Sequence, residues 1–246
     1  MDQIKQAELN RIQDIMKEGK YEEARPLLKE FLRHHPDEPL AIRFLGNTYA
    51  YTGFLGKARK IWRAAVKRFP DNVDLLYNLA LAFYLQGEFA SARRYWKRAL
   101  KFSPEDGEIY FNLGQVARDE GQLHRAIVWW EQALTKDPKN VETMNNIGSA
   151  YASRGMHGKA AGWYRKAVAE DPDYALGHYN LAVTLLERGE LEEALSNAEK
   201  AAQLDPSTHM KAVDELNKRI HARKSAFGEA SPKPVSPPME DPGDVE

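Results

Sequence analysis

Between Gly107 and Pro138 the apolar positions fall into two sets. Tyr110, Leu113 and Ala117 recur at spacings of three and four, and Ala126, Ile127, Trp130, Ala133 and Leu134 do so again after Gly121. Side chains at those spacings collect on one face of a helix, so the stretch predicts two amphipathic helices joined by a turn. Gly121 can adopt the left-handed backbone conformation that ends a helix without steric cost. Pro138 has no N–H and drives Asp137 out of helical geometry, which places the end of the second helix there. Each helix has one apolar stripe and about four turns, too little to stay folded alone in water. The hairpin needs neighbours.

The chain supplies them at a fixed step. Prolines stand at Pro36, Pro70, Pro104, Pro138, Pro172 and Pro206, each 34 residues after the last. Gly19, Gly53, Gly87, Gly121, Gly155 and Gly189 keep the same step, as do Ala24, Ala58, Ala92, Ala126, Ala160 and Ala194. Small residues at Gly46, Ala80, Gly114, Gly148 and Ala182 are expected to let each first helix approach the alanine of its partner. Trp62, Trp96, Trp130 and Tyr164 are expected to fill the gap towards the next repeat, as core and not as a cofactor or base-stacking site.

Helical hairpins with a 34-residue period and this punctuation resemble the tetratricopeptide repeat (TPR) family. The resemblance implies an all-α fold, a right-handed alpha-alpha superhelix (TPR solenoid) of antiparallel helical hairpins. The repeats are expected at 5–38, 39–72, 73–106, 107–140, 141–174 and 175–208, after an N-terminal extension at 1–4. A capping helix follows at 209–224, with Ala212, Val213, Leu216 and Ile220 on one stripe and a basic face holding Lys211, Lys218, Arg219, Arg223 and Lys224. The Pro/Ser-rich acidic segment 225–246 is expected to be disordered, because it cannot bury enough apolar surface to offset its ordering entropy. Its acids are expected to compete with a partner for the basic helix or for the groove near Arg43. In the first repeat Arg11, Ile12 and Phe31 depart from the later pattern and Pro26 falls inside the second helix, so this hairpin is expected to fray first.

Composition excludes several classes. Formal net charge is −1 over 246 residues, so there is no global basic field for nucleic acid or anionic lipid. The absence of cysteine rules out disulfides, thiol nucleophiles and thiolate metal sites. The N-terminal segment lacks the apolar core of a signal peptide, and no stretch approaches the length needed to span a bilayer; the expected compartment is the cytoplasm. No HExxH pair and no glycine-rich phosphate loop is present, and no carboxylate pair is marked out. The expectation is a protein without catalytic residues, cofactor or metal.

What remains is a surface. The resemblance implies that first helices line a concave groove, where Asn78, Asn112, Asn146 and Asn180 share one register. The row resembles the asparagine ladder of the repeat region of O-linked N-acetylglucosamine transferase, whose amides hold the backbone of extended chains. The alternative is that these amides bond within the repeats or to water. The same register brings Arg43, Phe44, Asn47, Tyr51, Tyr77, Leu81, Tyr84, Phe111, Tyr179 and Val183 beside it, an aromatic-rich face suited to a peptide or a partner helix. In the fifth repeat Glu142, Asn145, Ser149 and Ser153 are expected to leave the groove wetter. Arg43, Asn47 and Asn78 match three members of the carboxylate clamp of chaperone-binding members, but Glu108 and Asn112 stand where two cations are needed, which speaks against it.

The reading is a non-catalytic scaffold or adaptor that holds an extended segment or helix of another protein. The alternative is a structural protein assembling with its own copies through end repeats or the convex face. Chaperone-tail and RNA binding rank behind both.

Overall fold

The computed structural model describes residues 2–229, and among them it contains α-helices and no strands. Five hairpins are formed by α1 (Asp2–Lys17) with α2 (Tyr21–His34), α3 (Pro39–Tyr51) with α4 (Leu55–Arg68), α5 (Val73–Tyr84) with α6 (Phe89–Ala99), α7 (Gly107–Asp119) with α8 (Leu123–Lys136), and α11 (Ala175–Arg188) with α12 (Leu191–Leu204); α9 (Val141–Ser153) and α10 (His157–Glu170) stand between the last two in sequence. A thirteenth helix, α13, spans Pro206–Glu229. The chain divides inside α9 into two compact units, Met1–Ala150 and Tyr151–Glu246.

All six turn glycines have φ between 69° and 84°, the left-handed region a side chain would strain. Several first helices begin on a side-chain cap: Asn72 accepts from the Leu75 amide, Asp106 from those of Glu108 and Ile109, and Asn140 from that of Thr143.

The close approach within a hairpin differs from the expected one. The neighbour of Gly46 is the Trp62 indole, and that of Gly114 is the Trp130 indole: an added Cβ would come within 2.1 Å and 2.3 Å of the respective Nε1 atoms. Each indole N–H donates to a carbonyl one turn before the glycine, Trp62 to Arg43 (3.3 Å) and Trp130 to Phe111 (3.2 Å). The large side chains therefore pack inward over their own first helix, although they are core as expected: Trp62, Trp96, Trp130 and Tyr164 are all buried. In the hairpin between these two, Ala80 replaces the glycine. Trp96 is fully buried there and its Nε1 has no acceptor. Ala80 thus carries a methyl at the position where Gly46 and Gly114 leave room for the indole.

In the first unit, one core cluster gathers around Trp62, Trp96, Leu79 and Leu113, and another joins Leu9, Ile12, Phe31 and Phe44. An arginine row stitches successive hairpins there. Arg25 donates to the Thr52 hydroxyl (2.5 Å) and the Thr48 carbonyl (3.2 Å), Arg59 pairs with Gln86 and Glu88, and Arg93 pairs with Glu120. The row keeps the 34-residue step and ends where Ile127 takes the next position.

In the second unit the core joins Leu181, Leu185, Ala194 and Ala198 with Val213, Leu216 and Ile220 of α13. Two sequence expectations change here. The last helix begins at Pro206, directly after Asp205 caps α12, and continues past Lys224 to Glu229. Proline suits a first helical position, where its missing N–H goes unused, so the residue that ends α10 one repeat earlier starts α13 here. Residues 225–229, expected to be disordered, are therefore helical, and the remainder of that expectation, 230–246, lies outside the described residues. The basic face of α13 is also not bare: Arg219 pairs with Glu187 (2.9 Å), Lys224 with Glu192 (3.1 Å), and Arg223 donates to the Leu186 carbonyl (2.7 Å).

Candidate functional site

The face built from α3, α5, α7 and the first turns of α9 brings together most of the residues singled out in the first unit. Asn78 donates to Asn47 Oδ1 (3.2 Å), and Arg43 pairs with Asp74 (3.0 Å). Tyr77 donates to Glu108, and Asn112 Nδ2 reaches the Tyr77 hydroxyl (3.0 Å) and the Glu108 carbonyl (2.9 Å). Three of these rungs link residues 31 apart, one repeat less one helical turn, the offset at which side chains of successive first helices meet.

The offset also marks where the rungs stop. Arg43 meets Asp74 and Tyr77 meets Glu108, but the next pair in the series is Phe111 and Glu142. A phenyl ring offers nothing to a carboxylate. Glu142 is exposed there, beside half-buried Phe111 and Asn112, in a pocket of about 460 Å³ lined also by Glu105, Glu108, Lys136, Asp137, Asn140 and Thr143. Lys136 pairs with Glu105 (2.8 Å), which holds its ammonium above the usual lysine range. Glu108 and Glu142 give the pocket wall an acidic character.

Burial and the Glu108 carboxylate push the Tyr77 phenol well above the usual tyrosine range, and burial and Asp119 raise Tyr84. The Tyr84 hydroxyl donates to Asp119 (2.6 Å), and its ring packs on Phe89 and Trp96. Leu81 is half-buried against the core. Asn146 lies on α9, its buried Nδ2 without a hydrogen-bond partner.

Two residues depart from the expected face. Phe44 is 5% exposed, packed in the cluster that includes Leu9 and Ile12 of α1, so the end hairpin closes over the register position that Asn78 occupies one repeat later. Asn145 is buried, whereas Glu142, Ser149 and Ser153 are exposed. Tyr51 is exposed, with its ring stacked on Tyr21 (4.7 Å) at the start of α2. In the second unit Tyr179, Asn180 and Val183 sit half-buried on α11, where the Asn180 carbonyl accepts the Thr184 hydroxyl (2.8 Å). Register alone missed Asp74, Asp119 and Arg25; the 31-residue offset was the signal for Asp74.

Tetratricopeptide repeat models match residues 9–50, 45–107, 86–140 and 111–175, and a second such model matches 163–196. The chain belongs to the tetratricopeptide repeat family. Solved TPR-like structures superimpose at low identity. YrrB, a TPR protein with an unusual peptide-binding site, aligns at 20% identity over 80% of this chain and 97% of its own, with a TM-score of 0.61. PilF of Pseudomonas aeruginosa aligns at 16% over 90% and 98%, TM-score 0.75, and MamA from Desulfovibrio magneticus RS-1 at 21% over 69% and 96%, TM-score 0.62. At such identities the likeness shows the TPR fold. A comparison with curated protein sequences gives no match. Among the described residues no helix is long and apolar enough to cross a membrane, and no group of three or more His, Asp or Glu is placed to hold a metal ion.

Proposed function

We propose that this TPR protein is a non-catalytic scaffold or adaptor of the cytoplasm whose first-helix face binds an extended segment or helix of a partner protein. The observation that carries the reading is the break in the ladder at Phe111 and Glu142. Every earlier rung is closed by a side chain from the preceding helix, whereas here an apolar ring, the Asn112 amide and a carboxylate without such a partner line one pocket. An extended peptide would set its backbone against Asn78 and Asn112, an apolar residue against Phe111, and a cationic residue towards Glu108 and Glu142. YrrB, which has a peptide-binding site on a similar fold, is consistent with such a use. The clamp for acidic tails fits less well, because Asp74 already pairs with Arg43 and Glu108 occupies a cation's place.

Panning a random peptide library against the full chain and against Phe111→Ser/Asn112→Ala tests the reading. Enrichment of peptides that carry a lysine or arginine beside an apolar residue, lost in the variant while helicity is unchanged, supports it. Equal enrichment by both would move the site away from this face.

A second reading, assembly with other copies, draws on the first hairpin, where Ile4 is 78% and Leu27 39% exposed. Light scattering at rising concentration separates the two: a mass fixed at 28.0 kDa removes self-assembly.

A further inference from the structure

The first unit carries a second surface on its other helices. α4 contains Lys57, Arg59, Lys60, Arg63, Lys67 and Arg68, and α6 contains Arg93, Arg94, Lys97 and Arg98; neither helix contains a carboxylate. Neutralisation is confined to the edges, where Arg59 meets Glu88, Arg93 meets Glu120 and Arg68 meets Asp37.

The remaining cations keep the repeat register and form rows. Lys29, Arg63 and Lys97 lie 34 apart on α2, α4 and the last turn of α6; Arg33, Lys67 and Lys101 form a second row, and Lys60 with Arg94 a third. All of these side chains are exposed, and along α4 residues 60, 63 and 67 share one helical face. On α8 the next positions are Val128, Glu131 and Thr135, so the array ends at α6. Among the described residues, the acid that pairs with these rows is Glu30, with Arg33 on the same helix.

We infer that this face docks on the anionic surface of a lipid bilayer, peripherally and without insertion of a helix. Three features favour a lipid surface over a nucleic acid or an acidic protein. The array extends in two directions, and the depression between Arg94, Tyr95, Lys97, Arg98 and Lys101 is wide and open, where a strand would need a groove. The aromatic rings beneath are covered: Arg63 lies over Phe83, Arg94 over Tyr95 and Lys97 over Trp129, leaving those faces closed to a base. Arg63 and Arg94 are thus held on rings, Arg33 on Glu30 and Arg98 on the Pro70 carbonyl, while Lys60, Lys67 and Lys101 supply the free ends; point charges suit a fluid array of headgroups better than bidentate contacts. Phe102, 51% exposed directly after Lys101, is freed by the early end of α6 and can enter the headgroup layer.

The test is co-sedimentation of the full chain with vesicles of 30% phosphatidylserine in phosphatidylcholine and with pure phosphatidylcholine. A single-stranded oligonucleotide and polyglutamate serve as competitors at equal charge. Each cation near such a surface is worth about a fivefold change in partition, so Arg63→Gln/Lys67→Gln/Lys97→Gln/Lys101→Gln should lower binding to the anionic vesicles by about a hundredfold or more, with helicity unchanged. Phe102→Ser should lower it by about tenfold. Equal binding to both vesicle types overturns the inference, as does equal binding by wild type and the quadruple variant. So does displacement from the vesicles by either competitor, which would assign the face to nucleic acid or to an acidic protein.

Discussion

At the scale of single residues, Gly46, Gly114 and Ala80 stand where the indoles of Trp62, Trp130 and Trp96 pack in their hairpins. A methyl group at Gly114 would collide with a buried indole and displace its N–H from the Phe111 carbonyl. Gly114→Ala should therefore destabilise the first unit by about 1–3 kcal/mol, an overpacking cost with a lost hydrogen bond, read from the midpoint of urea unfolding. The hairpin with Ala80 carries that methyl, and its Trp96 indole is the one left unbonded. Tyr77 gives a pH signature. Its phenol is raised in the folded state, so its contribution is complete below the ordinary tyrosine pKa of about 10 and is lost as pH rises beyond that, when the unfolded phenol ionises first. The stability difference between wild type and Tyr77→Phe should be constant from pH 7 to 9 and shrink above 10, measured by chemical denaturation at each pH. A difference that grew above 10 would contradict the assigned contact with Glu108.

At the scale of elements, periodicity made the hairpins legible and concealed what breaks the period. The turn glycines, the proline stops and the buried faces follow from a 34-residue step repeated without insertion. Phe44 was misplaced because register treats all repeats alike, while α1 is where the array ends and its Leu9 and Ile12 cover that position. Rungs between helices were harder to see, since they appear only at the difference between a repeat and a turn. The arginine row gives a prediction at this scale: Arg59→Ala and Arg93→Ala should each cost about 1 kcal/mol, and less at high salt, because both side chains are only partly buried. The first hairpin has Pro26 inside α2, neighbours on one side and no member of the tryptophan series. Amides of α1 and α2 should exchange hydrogen faster than those of α5 to α8, and equal protection at Leu28 would count against this.

At the scale of the whole molecule, a net charge of −1 described a sum and hid a distribution. Sorting the same residues by helix places ten cations and no acid on α4 and α6, and that separation underlies the proposed lipid-facing surface. The division of the chain into two units has its own consequence. Leu216 of α13 belongs to the core of the second unit, so Leu216→Ala should cost about 2–4 kcal/mol there and leave amide protection around Trp62 and Trp96 unchanged. Loss of protection in both units would show that they unfold together. The buried Trp96 indole offers a way to follow the first unit without any label attached. Its N–H proton lacks an acceptor to deshield it and lacks water to exchange with. Of the five tryptophan side-chain signals in a proton–nitrogen spectrum, it should stand furthest upfield and persist longest in heavy water, a resonance that vanishes only when that core opens.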